Sequence, residues 1–189
     1  MRSEGFWWVA KISVLVLAVS ICAFAQGPKE IQFRGTISDY TPLNVGGPWE
    51  VRGTWSLTLK RDGKANFSAA LNMERSDLGV MQSGGGDLNN PMDRMAHTHH
   101  FTLLNGTVTF PSDGTVEVTG PVTITANGKF PPPFGPTSKL TIDITGGNSV
   151  TFSNIKLTFD SKADAVTHFG SSPINGVVRS VKEDERHRD

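Results

Sequence analysis

A long alternation of apolar and polar residues constrains this chain more than any other feature. In residues 49–60 (WEVRGTWSLTLK), every second residue from Trp49 is apolar or glycine. Arg61-Asp62-Gly63 then reads as a turn, and residues 64–74 (KANFSAALNME) resume the alternation. Because residues two apart share one face of a β-strand, the pattern predicts a β-hairpin with one buried face.

The rest of the chain repeats this pattern between turn residues spaced about 8 to 12 apart, as in sandwiches and barrels. The turn signals include Asn105-Gly106, Asp113-Gly114 and Asn127-Gly128. We therefore predict an all-β, single-domain antiparallel β-sandwich or closed β-barrel of about nine or ten strands. Beyond the hairpin, the candidate segments for these strands are 31–38, 97–104, 106–110, 114–118, 122–126, 139–144, 149–159, 166–169 and 176–179.

The two ends of the chain are predicted to lie outside this domain. Arg2 and Lys11 precede an apolar run at 12–25 that ends in Ala-Phe-Ala, which is typical of a cleaved signal peptide. We expect residues 1–25 to be the signal peptide, 26–181 the β-domain, and 182–189 (KEDERHRD) a charged, disordered tail. The protein is then exported, to a periplasm or the outside of the cell, with no membrane span after signal removal.

Charge and cysteine content narrow the classes of function. The chain has 18 basic and 18 acidic residues, so no basic excess favours a nucleic-acid partner. Its single cysteine, Cys22, lies inside the predicted signal peptide, so the mature domain is expected to fold without disulfides and to lack thiol chemistry.

The stretch MAHTHHF, residues 95–101, carries the strongest chemical signal. On a strand His97 and His99 share one face, whereas His100 points to the other. Imidazole pairs suit zinc or copper, but a metal site needs at least a third ligand. His168, in VTHFG, is the candidate for that ligand. The alternative interpretation is an ordinary strand whose histidines are structural or face solvent.

A ligand site is also predicted around the long, glycine-rich segment 76–96, which directly precedes the histidines. Its methionines and acidic residues could supply thioether or carboxylate groups, and a nearby tryptophan could cover the mouth of a barrel. The candidate ligand-binding residues are Trp49, Met92, Asp93, Met95 and His100.

The stretch GTWSLTLKRDGKANFSAALNM followed by AHTHH resembles the chordin-type repeat domain of exported bacterial proteins. There a glycine-led strand, a glycine turn and a second strand precede an Ala-His-x-His motif. The match covers about Gly53 to Phe110, although His100-Phe101 stands where the family has a glycine after the second histidine. The resemblance implies an exported β-domain with a binding role.

Three functions follow from these patterns. The leading hypothesis is a non-enzymatic binding module for an unknown small ligand or protein, with its site built from residues 76–96 and the histidine strand. Zinc or copper on His97, His99 and His168 is one ligand that such a site could hold. The second is a metal-dependent enzyme that uses the same histidines with an open position for water. The third is a structural or cell-surface interaction domain.

Overall fold

The computed structural model describes residues 30–42, 48–75, 96–112, 114–127, 137–146 and 154–183, and they form a closed antiparallel β-barrel of eight strands. The predicted all-β fold is confirmed, in its barrel form. The strands are β1 Ile31–Tyr40, β2 Trp49–Leu59, β3 Lys64–Arg75, β4 His97–Thr109, β5 Val116–Asn127, β6 Thr137–Thr145, β7 Asn154–Phe159 and β8 Ile174–Glu183.

Each strand pairs with its neighbour in sequence, and β8 pairs with β1 to close the barrel. The predicted hairpin forms as β2 and β3, in continuous register from Trp49↔Arg75 to Leu59↔Ala65. Its turn has Gly63 at φ +74°, a conformation that glycine adopts without a Cβ clash. The apolar stripe of this hairpin faces inward and is buried in the barrel core, with Leu57 and Leu71 fully inaccessible.

The strand count is eight rather than nine or ten because two pairs of predicted strands each form one continuous strand. Asn105 and Gly106 fall in a bulge of β4, where the register with β5 shifts between Leu103 and Thr107. Asn105 takes a φ of +57°, and its side chain accepts a hydrogen bond from Lys60 Nζ at 2.7 Å. The predicted strands 114–118 and 122–126 likewise join, through Gly120-Pro121, into β5.

The predicted strand at 166–169 is wrong. Val166–Phe169 instead forms a short helical turn, α1, inside the connection from β7 to β8. The chain forms a turn directly after β7, because Asp160 accepts hydrogen bonds from the amides of Lys162 and Ala163. Gly170, at φ +84°, ends the helical turn, and a Cβ there would lie 2.8 Å from the Pro42 ring.

The side chain of Phe169 anchors α1 to one end of the barrel. It is fully buried and packs against Phe159 and Phe101, with ring centroids 5.2 and 5.5 Å away. Burying an aromatic ring of this size stabilises the contact by about 1.5–3 kcal/mol. The connection is therefore fixed to the core, and the residue before Phe169 is held at the barrel end.

Several sequence predictions fall outside the described residues. They are the signal peptide at 1–25, the segment 76–95 and the tail beyond Glu183, although β8 itself runs two residues into the predicted tail. In the described ranges, no helix is both long and apolar enough to cross a membrane.

Candidate metal centre

Three histidines meet at the end of the barrel that α1 covers. His97 and His99 lie on β4 opposite Met73 and Leu71 of β3, both buried core residues, so their side chains share the inward face. His168 comes from α1, next to the anchoring Phe169. One ligand atom from each of the three histidines lies within 4.8 Å of the others.

The ring nitrogens approach at hydrogen-bonding distance. His168 Nε2 is 3.0 Å from His99 Nε2 and 3.1 Å from His97 Nε2. Two nitrogens bound tetrahedrally to zinc at about 2.0–2.1 Å would lie about 3.3 Å apart. The spacing of these two pairs is thus close to that of a shared ion.

Hydrogen bonds between the three rings satisfy this arrangement of nitrogen atoms poorly. An imidazole Nε2 carries either one proton or one lone pair in the ring plane, so it makes one well-directed hydrogen bond at a time. His168 Nε2 faces two other Nε2 atoms at once. A cation that accepts a lone pair from all three rings resolves this conflict, because each nitrogen can then be unprotonated.

Burial favours the uncharged form of His99 and His168 by lowering the pKa of each ring. Desolvation, followed by the neighbouring histidines His168, His97 and His100, lowers the pKa of His99 from 6.5 to about 3. Desolvation and then His97 lower the pKa of His168 to about 4. At neutral pH these two rings are therefore in the form that ligates a metal, and binding needs no proton to be removed from them.

Aromatic rings surround the cluster. The Trp49 ring lies 5.4 Å from that of His97 and 5.8 Å from that of His168, and Phe169 lies 5.0 Å from His99. Trp49 is 7 % exposed and belongs to the hydrophobic core, and a ligand-binding role for it stays a prediction. Its Nε1 is buried and has no hydrogen-bond partner among the described residues.

The three histidines differ in their access to solvent. His99 is 1 % exposed, whereas His97 and His168 are half-buried. A cavity of about 510 Å³ borders His97. It lies at the outer surface of the same barrel end and is lined by Glu50, Arg52, Asn72, Met73, Glu74, Ala96, His97, Thr98 and Asn127. His97 and His168, rather than His99, thus form the more solvent-accessible side of the cluster.

Of the other predicted residues, His100 does not join this cluster. His100 lies on the opposite face of β4, where its Nε2 is 2.8 Å from Asn127 Nδ2. Met92, Asp93 and Met95 lie outside the described residues.

Two residues that sequence reasoning did not select contribute to the site. The buried Phe169 side chain holds the neighbouring His168 in place, and the two rings are in contact. In the sequence, this role is indicated only by an aromatic residue directly after a histidine. Arg75 lies over the Trp49 ring at 5.6 Å, a cation–π contact that the register of β2 and β3 creates. Trp49 and Arg75 are cross-strand neighbours at the open end of the hairpin, so the predicted register alone could have identified this pair.

Searches of protein-family models, curated proteins and solved structures found no match for this chain. The resemblance to the chordin-type repeat stays a prediction from the sequence.

Proposed function

We propose that this protein is an exported binding module that holds one zinc or copper ion through His97, His99 and His168. The proposal is carried by one observation: three imidazoles converge at the covered end of the barrel, with His168 Nε2 within 3.1 Å of both other Nε2 atoms. Imidazole favours zinc and copper over magnesium or calcium, which prefer oxygen ligands.

The surroundings of the three histidines favour tight binding of an ion over weak binding. Two histidines come from one strand and the third from a turn anchored by a buried ring. Such a site is largely formed before the ion arrives, which reduces the ordering that binding requires. Desolvation disfavours protonated imidazole there, so protons compete weakly with the metal.

Three protein ligands leave a fourth position open in a tetrahedral site. Water or a small anion would occupy it, and the buried indole N–H of Trp49 belongs to a ring that lies beside those of His97 and His168. A metal-dependent enzyme would use the same three ligands, so the ligand set is the first point to test for either function.

The test is metal content by elemental analysis, after zinc or copper loading and removal of excess ion, on protein without a histidine tag. His168→Ala is the decisive variant, because His168 supplies the third ligand and only the fold brings it next to His97 and His99. His100→Ala is the matched control, a histidine on β4 that faces outward. We expect one ion per chain in the wild type and in His100→Ala, and none retained in His168→Ala. Equal retention in all three proteins would refute the proposal.

A further inference from the structure

A second concave surface lies on the outer face of the barrel, on the other side of the sheet from the histidine cluster. It is a groove of about 660 Å³ that crosses β8, β1, β2, β3 and β4. Its lining residues are Arg34, Gly35, Thr36, Thr54, Trp55, Ser56, Ser68, Ala69, Ala70, His100, Phe101, Thr102 and Arg179.

The strand register explains the shape of this groove. Small side chains align in two adjacent rows across β2 and β3, Ser56 beside Ser68 and Thr54 beside Ala70. Short side chains therefore form the part of the groove that β2 and β3 contribute.

The floor is rich in hydroxyl groups. Thr36, Thr54, Ser56, Ser68 and Thr102 all face outward at these positions, and the Ser56 and Ser68 hydroxyls are 2.9 Å apart. A hydroxyl both donates and accepts, so such a floor can hydrogen-bond to the hydroxyls of a ligand.

One end of the groove carries two cations. Arg179 lies within a register shift of β1 and β8, because Arg34 pairs with Ser180 and Gly35 with Val178. A β-bulge of this kind re-aims a side chain, and here Arg179 comes to line the groove together with Arg34. Both are exposed, and neither forms an ion pair or side-chain hydrogen bond with a described residue. Among the described residues that line the groove, none is acidic.

We propose that this groove binds an acidic oligosaccharide. Carboxylates of uronic-acid units would pair with the Arg34 and Arg179 guanidinium groups, which suit carboxylates through paired N–H donors. The ring hydroxyls of the sugar would hydrogen-bond along the serine and threonine floor. The volume of the groove, about 660 Å³, favours a chain of several units over a single small anion.

A single-stranded nucleic acid fits this surface less well. Such ligands stack their bases on exposed aromatic rings. Of the aromatic rings in the groove lining, Trp55 and Phe101 are 3 % and 1 % exposed and belong to the core, which leaves the half-buried His100 ring for stacking. Two arginines also provide few phosphate contacts.

The test is isothermal titration calorimetry with trigalacturonate, with neutral maltotriose as the comparison ligand. We expect saturable binding of trigalacturonate and much weaker binding of maltotriose. Arg34→Ala/Arg179→Ala should weaken trigalacturonate binding about tenfold or more for each arginine. Lys64→Ala/Lys156→Ala removes the same charge from exposed positions outside the groove and should bind like the wild type.

Ser68→Tyr tests the floor independently of charge. Tyrosine is well tolerated on an exposed strand face, and its ring would fill the groove, so we expect binding to be lost while the barrel still folds. Three results would overturn the proposal: no binding of trigalacturonate to the wild type, equal losses in the arginine and lysine variants, or equally tight binding of oligothymidylate at the same site. His97 and His99 point to the inner face, so failure here leaves the metal proposal unaffected.

Discussion

His168 Nε2 lies 3.0 Å from His99 Nε2, although the two residues are 69 positions apart in the chain. His99 belongs to the barrel wall, whereas His168 belongs to the turn that covers the barrel end. The cluster therefore joins wall and cover, and an ion bound there would hold the β7–β8 connection against β4. Metal binding should consequently be measurable as a change in the stability of the whole barrel.

The first prediction concerns thermal stability. An ion that binds only the folded state adds about 2.7 kcal/mol to the free energy of unfolding at a hundredfold excess over its Kd. For a domain of this size that corresponds to a rise in Tm of about 5–10 °C. Differential scanning calorimetry with zinc or copper measures it, with magnesium as the control ion. An unchanged Tm with all three ions would argue against the site.

The second prediction concerns pH without metal. The pKa values of His99 and His168 are lowered to about 3 and 4 in the folded protein, whereas the unfolded chain takes up these protons near pH 6.5. The unfolded state therefore binds more protons below pH 6.5. Stability should be constant above that pH and fall toward pH 5, on the order of 1 kcal/mol per pH unit for each histidine. Denaturant unfolding at pH 7.5, 6.0 and 5.0 measures this, and a flat profile over that range would contradict the burial of neutral rings.

The third prediction separates a binding role from a structural one. His99→Leu replaces a fully buried imidazole by an apolar side chain of similar size, so the free energy of unfolding at pH 7 should stay within about 1.5 kcal/mol of the wild type. The Tm increase with metal should disappear. His100→Leu on the outer face should keep that increase. A loss of several kcal/mol in His99→Leu without metal would mean that the imidazole is needed for folding itself.

Part of this site could be read from the sequence, and part could not. The spacing of His97 and His99 places both on one strand face, because that depends only on strand geometry. The position of His168 depends on how the barrel closes and on a helical turn of four residues. So short a helix has no periodicity of its own, and β-branched Val166 and Thr167 favour a strand in any local reading.

The same limit explains the strand count. Asn-Gly is a strong hairpin signal, yet Asn105 and Gly106 form a bulge inside β4. Both structures need a positive φ, which Asn105 adopts at +57°. Only the pairing of β4 with β3 and β5, a property of the assembled barrel, distinguishes a bulge from a turn.

The fourth prediction uses Trp49 as a reporter. Its ring lies 5.4 Å from His97 and 5.8 Å from His168, so bound copper would quench its fluorescence strongly. Addition of Cu²⁺ should remove most of the emission of Trp49, and Trp49→Phe should abolish that component. Trp55 serves as the matched comparison, because Trp55→Phe should leave the quenching in place. Equal quenching in both variants would contradict binding near Trp49.

The fifth prediction tests the barrel wall. A Cβ at Gly53 would lie 1.9 Å from the Ala70 carbonyl oxygen and 2.9 Å from Leu71 Cα, both backbone atoms. Gly53→Ala should therefore destabilise the fold by about 3 kcal/mol or more. Gly120→Ala is the control, since its nearest atom is 3.3 Å away, and a smaller loss is expected. Chemical denaturation compares the two, and equal losses would contradict the close packing of β2 and β3 at Gly53.

X-ray absorption spectroscopy of the zinc- or copper-loaded protein tests the central claim most directly, because it counts the ligands of the bound ion. The account predicts three imidazole nitrogens at about 2.0–2.1 Å in the wild type, with water or an anion completing the site. An ion bound by oxygen atoms alone, or by fewer than three imidazoles, would contradict it.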